Sequence, residues 1–329
     1  MEDFGKLFDA FSGMRIGIVG DLMLDTYMWG RVDRVSPEAP VPVVVLDHKE
    51  FRAGGAGNVA LNCRSLGANV SLFSVCGNDE DARLLLDLLN AQQVQTGGVI
   101  KSSERITTSK TRIISRNQQM LRLDAEMTTS VSARDEAALL AKLNDFVADE
   151  SPAVIIFEDY NKGVLTDKLI REMISLCRKS GVITAVDPKR QHFFSYAGAD
   201  IFKPNMKEVK EALNLLVDEV TPGVFEKIHN ELHLQLGHNI SFITLSDKGV
   251  YYQQDDQGGI IPSHLRNIAD VSGAGDTVIA VASMVYAATR NILLMAEVAN
   301  IAGGLVCEEV GTVPISAQKL QHECEVLLS

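Results

Sequence analysis

Basic charge is what this chain is short of. It sets 31 Lys and Arg against 43 Asp and Glu, a formal net charge of −12 over 329 residues. That argues against nucleic acid or an anionic membrane surface as a partner, so any phosphate it binds must be held by local positive groups. Proline is scarce, at nine residues, and there is no low-complexity linker and no internal repeat. The five cysteines, Cys63, Cys76, Cys177, Cys307 and Cys324, are scattered, odd in number and never spaced Cys-x-x-Cys. They read as reduced thiols filling the core of a cytoplasmic protein. No long hydrophobic run occurs: the longest, Val278 to Ala288, is about half of what spans a bilayer. The start, Met-Glu-Asp-Phe-Gly, lacks a basic region followed by an apolar one, so no signal peptide is expected.

What remains is an ordinary globular composition, 46% hydrophobic and 22% charged, long enough for one large core with a small second element. The stretch that organises the reading is Asp270-Val271-Ser272-Gly273-Ala274-Gly275-Asp276-Thr277. Ile260 and Ile261 end a strand ahead of it, and Val278 to Ala288 reads as a buried helix behind it. Gly273, Ala274 and Gly275 therefore stand where a loop becomes a helix N-terminus. Small residues there let a ligand approach the backbone, and the amides and helix dipole favour an anion such as a phosphoryl group. Asp276 is a carboxylate beside a site built for anions. It is either a dipole partner at the helix start or a general base that takes a proton from an attacking hydroxyl.

Along the chain, Met14 to Gly20 reads as a first α/β strand. Gly17-x-x-Gly20 does not match the dinucleotide fingerprint, which argues against a nicotinamide site. Asp21 and Asp25 follow where open α/β sheets bind ligands, or belong to a solvated turn. Tyr27 to Val35 and Val41 to Leu46 are β-like, as are Ile106 to Ile114 and Met120 to Asp124. Together they suggest a small separate sheet, a lid or an edge hairpin. Arg112 and Arg116 are either phosphate clamps or exposed strand arginines. Gly54, Gly55 and Asn58 open a helix predicted to Leu66, and Asn58 offers donor and acceptor to a hydroxyl. From residue 132 strands and helices alternate, which implies a doubly wound parallel sheet. Strand ends carry Glu158-Asp159-Tyr160-Asn161-Lys162-Gly163 and Asp187-Pro188-Lys189-Arg190. Asn205 and Glu208, at the head of a helix predicted to Leu216, form either a capping box or an oxygen pair for hydrated Mg²⁺.

Taken together, Gly54-Gly55-Ala56-Gly57-Asn58, Asn205-Met206-Lys207-Glu208 and Asp270 to Asp276 resemble, in order and separation, the signatures of the ribokinase-like (PfkB) carbohydrate kinases. Arg34 to Val43, Ser115-Arg116-Asn117-Gln118-Gln119, Asp187-Pro188-Lys189 and Asp270 to Ile279 are most similar to the bacterial heptose 7-phosphate kinases of that family. Val278 and Ala280 stand where many ribokinases have Phe-x-Gly. The resemblance implies a single ribokinase-like α/β domain over 1–329, a mainly parallel sheet flanked by helices, with a β lid from segments 27–48 and 105–124. It implies a homodimer formed through the lids and transfer of the ATP γ-phosphoryl to the anomeric hydroxyl of a sugar phosphate, towards ADP-heptose.

The resemblance also assigns residues. Asp276 would be the base, with Gly273, Ala274 and Gly275 holding the phosphoryl. Asp21, Asp25, Gly54, Gly55 and Asn58 would bind sugar hydroxyls, and Arg112, Arg116 and Lys189 the sugar's phosphate. Asn205 and Glu208 would position Mg²⁺ through water. Ser246, Gly249, Asn300 and Gly303 would line the adenine side. Asp270 and Ser272 lie where relatives bind a monovalent cation, which leaves K⁺ open. Such kinases are often fused to an adenylyltransferase bearing His-x-Gly-His; His233 and His238 have the wrong spacing, so the chain reads as a stand-alone kinase or as the kinase part of a longer protein. The rival readings are a kinase for another sugar or sugar phosphate, and a non-catalytic sugar or nucleotide sensor.

Overall fold

Short apolar strands alternating with helices build one large sheet covered on both faces. The structure, a computed structural model, describes residues 3–116, 118–216 and 221–328. Asn117 of the Ser115 to Gln119 stretch, and Met1 and Glu2 at the start, lie outside the described residues. In chain order the strands are β1 Arg15–Gly20, β2 Leu22–Val35, β3 Pro42–Gly55, β4 Asn69–Gly77, β5 Gln95–Ser102, β6 Thr108–Ser115, β7 Gln118–Ala125, β8 Val154–Glu158, β9 Ile183–Asp187, β10 Ile201–Phe202, β11 Ile240–Thr244, β12 Val250–Gln254 and β13 Gln257–Ile261.

The large sheet has nine strands in the order β13-β12-β11-β10-β9-β8-β1-β4-β5. Pairing is parallel from β5 to β11 and antiparallel at β12 and β13. Strands β8 and β9 are buried at every residue, as parallel strands between two helical layers must be. Val154, Ile156, Ile183 and Ala185 pack with helices Ala56–Ser65, Ala274–Thr289 and Ile292–Val306. The alternate residues Ile155, Phe157 and Val186 pack with helices Ala133–Glu150, Asp167–Lys179 and Pro222–Leu236. From β1 the order runs through β4 and β5 one way and through β8, β9, β10 and β11 the other. The β1/β8 junction is thus the topological switch point, where open α/β sheets form their ligand crevice.

The smaller sheet has the order β3-β2-β6-β7. Strands β2 and β3, each of 14 residues, form a long antiparallel pair from Leu22↔Gly55 to Val35↔Pro42. This corrects the sequence reading, which started the first strand at Tyr27 and ended the second at Leu46. Leu22, Met23 and Leu24 are buried in the main body, so the hairpin grows directly out of the core and Asp25 sits within a strand. The helix after Asn205 ends at Ala212 rather than Leu216, where Asn214 turns to φ +51°. The sequence reading passed over the helices Phe4–Phe11 and Pro222–Leu236 and the strands β5 and β12. No helix among the described residues is long and apolar enough to cross a membrane.

Candidate active site

Four adjacent strands, β1, β8, β9 and β10, end at the switch point, and each ends in or is followed by a polar side chain: Asp21, Glu158, Asp187 and Lys203. Side chains alternate across a strand, so Glu158 shares the face of Val154 and Ile156, and Asp187 that of Ile183 and Ala185. That face carries helix Ala274–Thr289, whose first turn holds Asp276. Gly273 precedes the helix at φ +79°, and a Cβ there would fall 2.6 Å from Asn58 Nδ2. Only glycine both turns the chain left-handed and lets the loop lie against Asn58.

Asp276 is 2% exposed. Asn58 Nδ2 donates to one carboxylate oxygen at 2.7 Å, and the Tyr160 hydroxyl donates to the other at 2.8 Å. Burial pushes Asp276 up to about 6, against the lowering effect of those two donors. A carboxyl that titrates near neutrality and is oriented from both sides has the proton affinity a base needs at working pH. Asn58 is itself fixed by Asn62, whose Nδ2 bonds its backbone carbonyl at 2.9 Å.

An ion-pair network stands beside Asp276. Lys203 Nζ is 2.7 Å from Asp187, and Lys189 Nζ is 3.2 Å from Asp187 and 3.0 Å from Glu208. Burial alone would lower the Lys189 ammonium, but the carboxylates of Asp187 and Glu208 lift it above its usual range. Burial raises Asp187, and the two lysines more than reverse it, so its carboxyl lies below the usual range. Gly275 opens onto this pair: a Cβ on it would lie 3.7 Å from Asp187 Oδ2 and 3.8 Å from Lys203 Nζ. The loop-to-helix junction thus has an ammonium group within reach, the local positive charge an acidic protein needs to hold a phosphoryl group.

The sequence-predicted residues divide by place. Asp276, Asn58, Gly273, Ala274 and Gly275 are together. Asn205 and Glu208 form a reciprocal capping box, Asn205 N–H to Glu208 at 2.8 Å and Glu208 N–H to Asn205 at 2.9 Å. Glu208 then spends its other oxygen on Lys189, which ties the box to the network. Asp21 accepts the backbone N–H groups of Tyr160, Lys162 and Val164 at 2.8, 3.0 and 3.2 Å, so it anchors the 160–164 loop. Asp25 faces Gly54 and is ion-paired with Arg112. Gly55 lies at φ +59°, where a Cβ would fall 2.4 Å from the Asp21 carbonyl oxygen. Arg116 is exposed at the β6–β7 turn, six residues along from Lys110, the register partner of Asp25. At the usual rise per residue that is about 20 Å away. The structure thus puts it beyond the end of β6 that is distant from Asp25. Ser246 and Gly249 flank the turn before β12. Asn300 Nδ2 bonds the Pro262 carbonyl at 2.9 Å, and a Cβ on Gly303 would press on Val278 at 2.7 Å. Asp270 accepts the amide and hydroxyl of Ser272 and the Gly311 amide, tying that loop to the one after helix Ile292–Val306.

Sequence reasoning did not assign Tyr160, Glu158, Asp187 or Lys203. The available signal was their position: each ends or follows a predicted parallel strand. Arg52 was also passed over. It lies 4.9 Å from the Tyr27 ring centroid and donates to the Val310 carbonyl at 2.8 Å, joining the smaller sheet to the loop after helix Ile292–Val306.

The family pattern for the pfkB family carbohydrate kinases matches residues 15–319. The Bifunctional protein HldE of Geobacter sulfurreducens is 37% identical over 318 residues, which cover 96% of this chain and 64% of that protein. The protein of the same name from Methylobacillus flagellatus is 38% identical over 310 residues, 94% of this chain and 62% of it. The chain thus spans less than two thirds of the length of these two relatives. Among solved structures, phosphofructokinase-2 from Escherichia coli in complex with substrates and products superposes with a TM-score of 0.79 at 17% identity, covering 96% of this chain and all of that one. Ribokinase from Arabidopsis thaliana complexed with ribose and ATP gives 0.72 at 16%, covering 94% and 99%. By sequence match over nearly its whole length, with the same fold around the buried Asp276, the chain belongs to the pfkB family of carbohydrate kinases.

Proposed function

We propose that this chain transfers the γ-phosphoryl of ATP to the anomeric hydroxyl of a heptose 7-phosphate, giving the 1,7-bisphosphate on the way to ADP-heptose. The observation that carries the kinase reading is Asp276, buried, doubly oriented and at the head of a helix opened by Gly273. The heptose phosphate is supported by the likeness to the HldE proteins. Asp276 takes the proton of the sugar hydroxyl as the new O–P bond forms and the bond to the departing ADP breaks. The amides of Gly273, Ala274 and Gly275 hold the transferring group, with Lys203 and Lys189 nearby against its charge. Asp25 and Asn58 would meet sugar hydroxyls. Ser246, Gly249, Asn300 and Gly303 would line the adenine side.

The oxygen donors of Asn205, Glu208 and Asp187 suit hydrated Mg²⁺, which prefers few protein ligands and keeps its water. The cap and Lys189 already engage Asn205 and Glu208, so these would hold the ion through water. Bound there, Mg²⁺ would supply charge neutralisation across the nucleotide phosphates. For K⁺, the loop of Asp270 and Ser272 remains the candidate. The smaller sheet would act as a lid, and its outward apolar residues Val35, Leu46, Leu121 and Leu123 support a homodimer formed through it.

A second reading is a kinase for a sugar without the distal phosphate. It is favoured by the pairing of Arg112 with Asp25 and of Lys189 with Asp187 and Glu208, which leaves neither cation free. An ATP-consumption assay with Mg²⁺ decides between them, run on heptose 7-phosphate, sedoheptulose 7-phosphate, fructose 6-phosphate, ribose and fructose. Preference for the heptose phosphate, with product phosphorylated at the anomeric carbon, is the expected result. Preference for a neutral sugar would move the proposal to the second reading.

A further inference from the structure

Lys110 stands on β6 of the smaller sheet, with Asp25 of β2 and Asp124 of β7 as its register partners. Side chains directly opposite one another share a face of the sheet, so these three point to the same side. Both carboxylates are already engaged, Asp25 by Arg112 and Asp124 by Arg122. The half-buried Lys110 ammonium has no hydrogen bond and no ion pair among the described residues. What it meets instead is the Tyr160 ring, 5.6 Å from Nζ to the centroid.

The other cations near the strand ends differ from it. Lys189 lies 5.1 Å from the same ring but is held by Asp187 and Glu208. Lys203 pairs with Asp187 and Lys162 with Glu126, and Arg105 donates to the carbonyls of Met127, Thr129 and Lys162. A cation over an aromatic face recovers less than an oxygen partner gives, so Lys110 keeps a positive charge that the chain's own acceptors do not use. Tyr160 also fixes where that charge sits relative to the chemistry. Its hydroxyl donates to Asp276 at 2.8 Å, while its ring faces Lys110. The base and the ammonium are therefore one phenol side chain apart. A sugar whose reacting hydroxyl meets Asp276 has its far end on the Lys110 side.

We propose that Lys110 is the specificity-determining residue for the phosphate that the sugar brings with it, pairing with that group at the end away from the reacting hydroxyl. The inference rests on the sugar-phosphate kinase reading, and it supplies the cation that Arg112 and Lys189, both paired, do not. A phosphate dianion takes the place of the carboxylate that this face withholds from Lys110, through a charge-assisted hydrogen bond. The contact lies away from the bonds that form and break. It therefore strengthens binding of the ground and transition states alike, and its loss falls on KM more than on kcat.

The test is kcat/KM on heptose 7-phosphate and on the same heptose without its phosphate, for wild type, Lys110→Met and Lys110→Arg. Wild type should prefer the phosphorylated sugar; without that preference the heptose phosphate reading falls and this inference with it. Given the preference, Lys110→Met should cut it by about 10- to 100-fold, the worth of a hydrogen bond between charged groups, mainly through the KM of the phosphorylated sugar. Lys110→Arg keeps the charge and should hold most of the preference. A preference that survives in Lys110→Met, with both sugars slowed alike, would overturn the role of Lys110 and leave the reading standing; it is the mark of a lysine that only steadies Tyr160. Should Lys110→Met not fold, a crystal structure of the wild type with heptose 7-phosphate decides. A phosphate oxygen within hydrogen-bond reach of Lys110 Nζ is expected, and a phosphate held by other groups refutes the proposal.

Discussion

The two sheets of this protein end in opposite ways. In the large sheet, β8 and β9 are buried along their length and finish in Glu158 and Asp187, ionisable residues shut off from solvent. In the small sheet, β7 is exposed at all eight positions and turns Leu121 and Leu123 outward at 52% and 53% exposure. The first buries ionisable groups away from water, which is how the Asp276 carboxyl comes to titrate near neutrality. The second leaves apolar area uncovered, which suits a surface that closes on something else. Chemistry is concentrated at the first and association, on our proposal, at the second.

The largest effect that would break this contrast is at Asp276. Asp276→Asn keeps the shape and one acceptor oxygen but cannot take a proton. Turnover should fall by about 10²- to 10⁴-fold, as loss of a general base does, with the thermal midpoint close to wild type. Steady-state kinetics decide; turnover near the wild-type value would remove it as the base.

Ion pairs offer a direct test of the two environments. Lys203→Met would leave Asp187 with Lys189 alone in a buried site, and should cost about 3–5 kcal/mol in denaturant unfolding. Arg31→Met in the small sheet also breaks pairs, at 3.0 Å to Asp33 and 3.1 Å to Asp47, but the arginine side chain is 56% exposed. Its cost should stay below about 1 kcal/mol. Equal costs would mean that solvent reaches the strand ends of the large sheet.

That gradient also decided how much was legible in the sequence. The parallel sheet declared itself through the apolar runs of β8 and β9 and their regular alternation with helices. The junction at Gly273 to Asp276 was readable because small residues between a strand end and a long apolar run mark a loop turning into a buried helix. The reciprocal Asn205–Glu208 box was readable from spacing, though spacing could not say that Lys189 takes the remaining Glu208 oxygen. Tyr160 and Lys203 were visible only as polar residues at strand ends, and Asp187 also as part of the Asp187-Pro188-Lys189 stretch, with no role assigned to it. Strand order brings β8, β9 and β10 side by side, and no local pattern encodes that order. β5 was passed over because its Gln95-Thr96-Gly97-Gly98 opening has neither alternation nor bulk. Asp21 and Asp25 looked equivalent in sequence; hydrogen bonding separates them into a loop anchor and a partner of Arg112.

Acidity supplies a further test at the large sheet's end. Asp276 is raised from 3.8 to about 6 in the folded protein. A raised folded value means that its contribution to stability is fully present below about 4 and is lost as pH climbs through 6. Activity runs the other way, since the base must be ionised. The kcat/KM profile should therefore drop below about pH 6 while the same change in pH makes Asp276 less costly to bury. Unfolding free energies of wild type and Asp276→Asn, compared at pH 4 and pH 7, should favour the variant more at pH 7. A difference that does not change with pH would place the titration on another group.

Smaller still is the capping box. Asn205→Ala removes the acceptor for the Glu208 amide and should cost about 1 kcal/mol, the usual worth of such a cap. On the proposed magnesium role it should also raise the Mg²⁺ concentration needed for half-maximal turnover. A stability loss with an unchanged Mg²⁺ requirement would leave the box a cap and nothing more.

The smallest effect on stability is expected on β7, and it sharpens the contrast from the other side. Leu121 is half exposed in the single chain, so Leu121→Glu removes little buried area from it. Monomer stability should move by no more than about 0.5 kcal/mol. If the small sheet is where two copies meet, the same substitution places a charge in an apolar contact and the mass seen by light scattering should fall to that of one chain. A variant that stays dimeric would send the interface elsewhere. A variant that unfolds would mean that β7 holds the chain together more tightly than its exposure allows. Only loss of the dimer with an intact fold keeps the two sheets as different as their burial makes them.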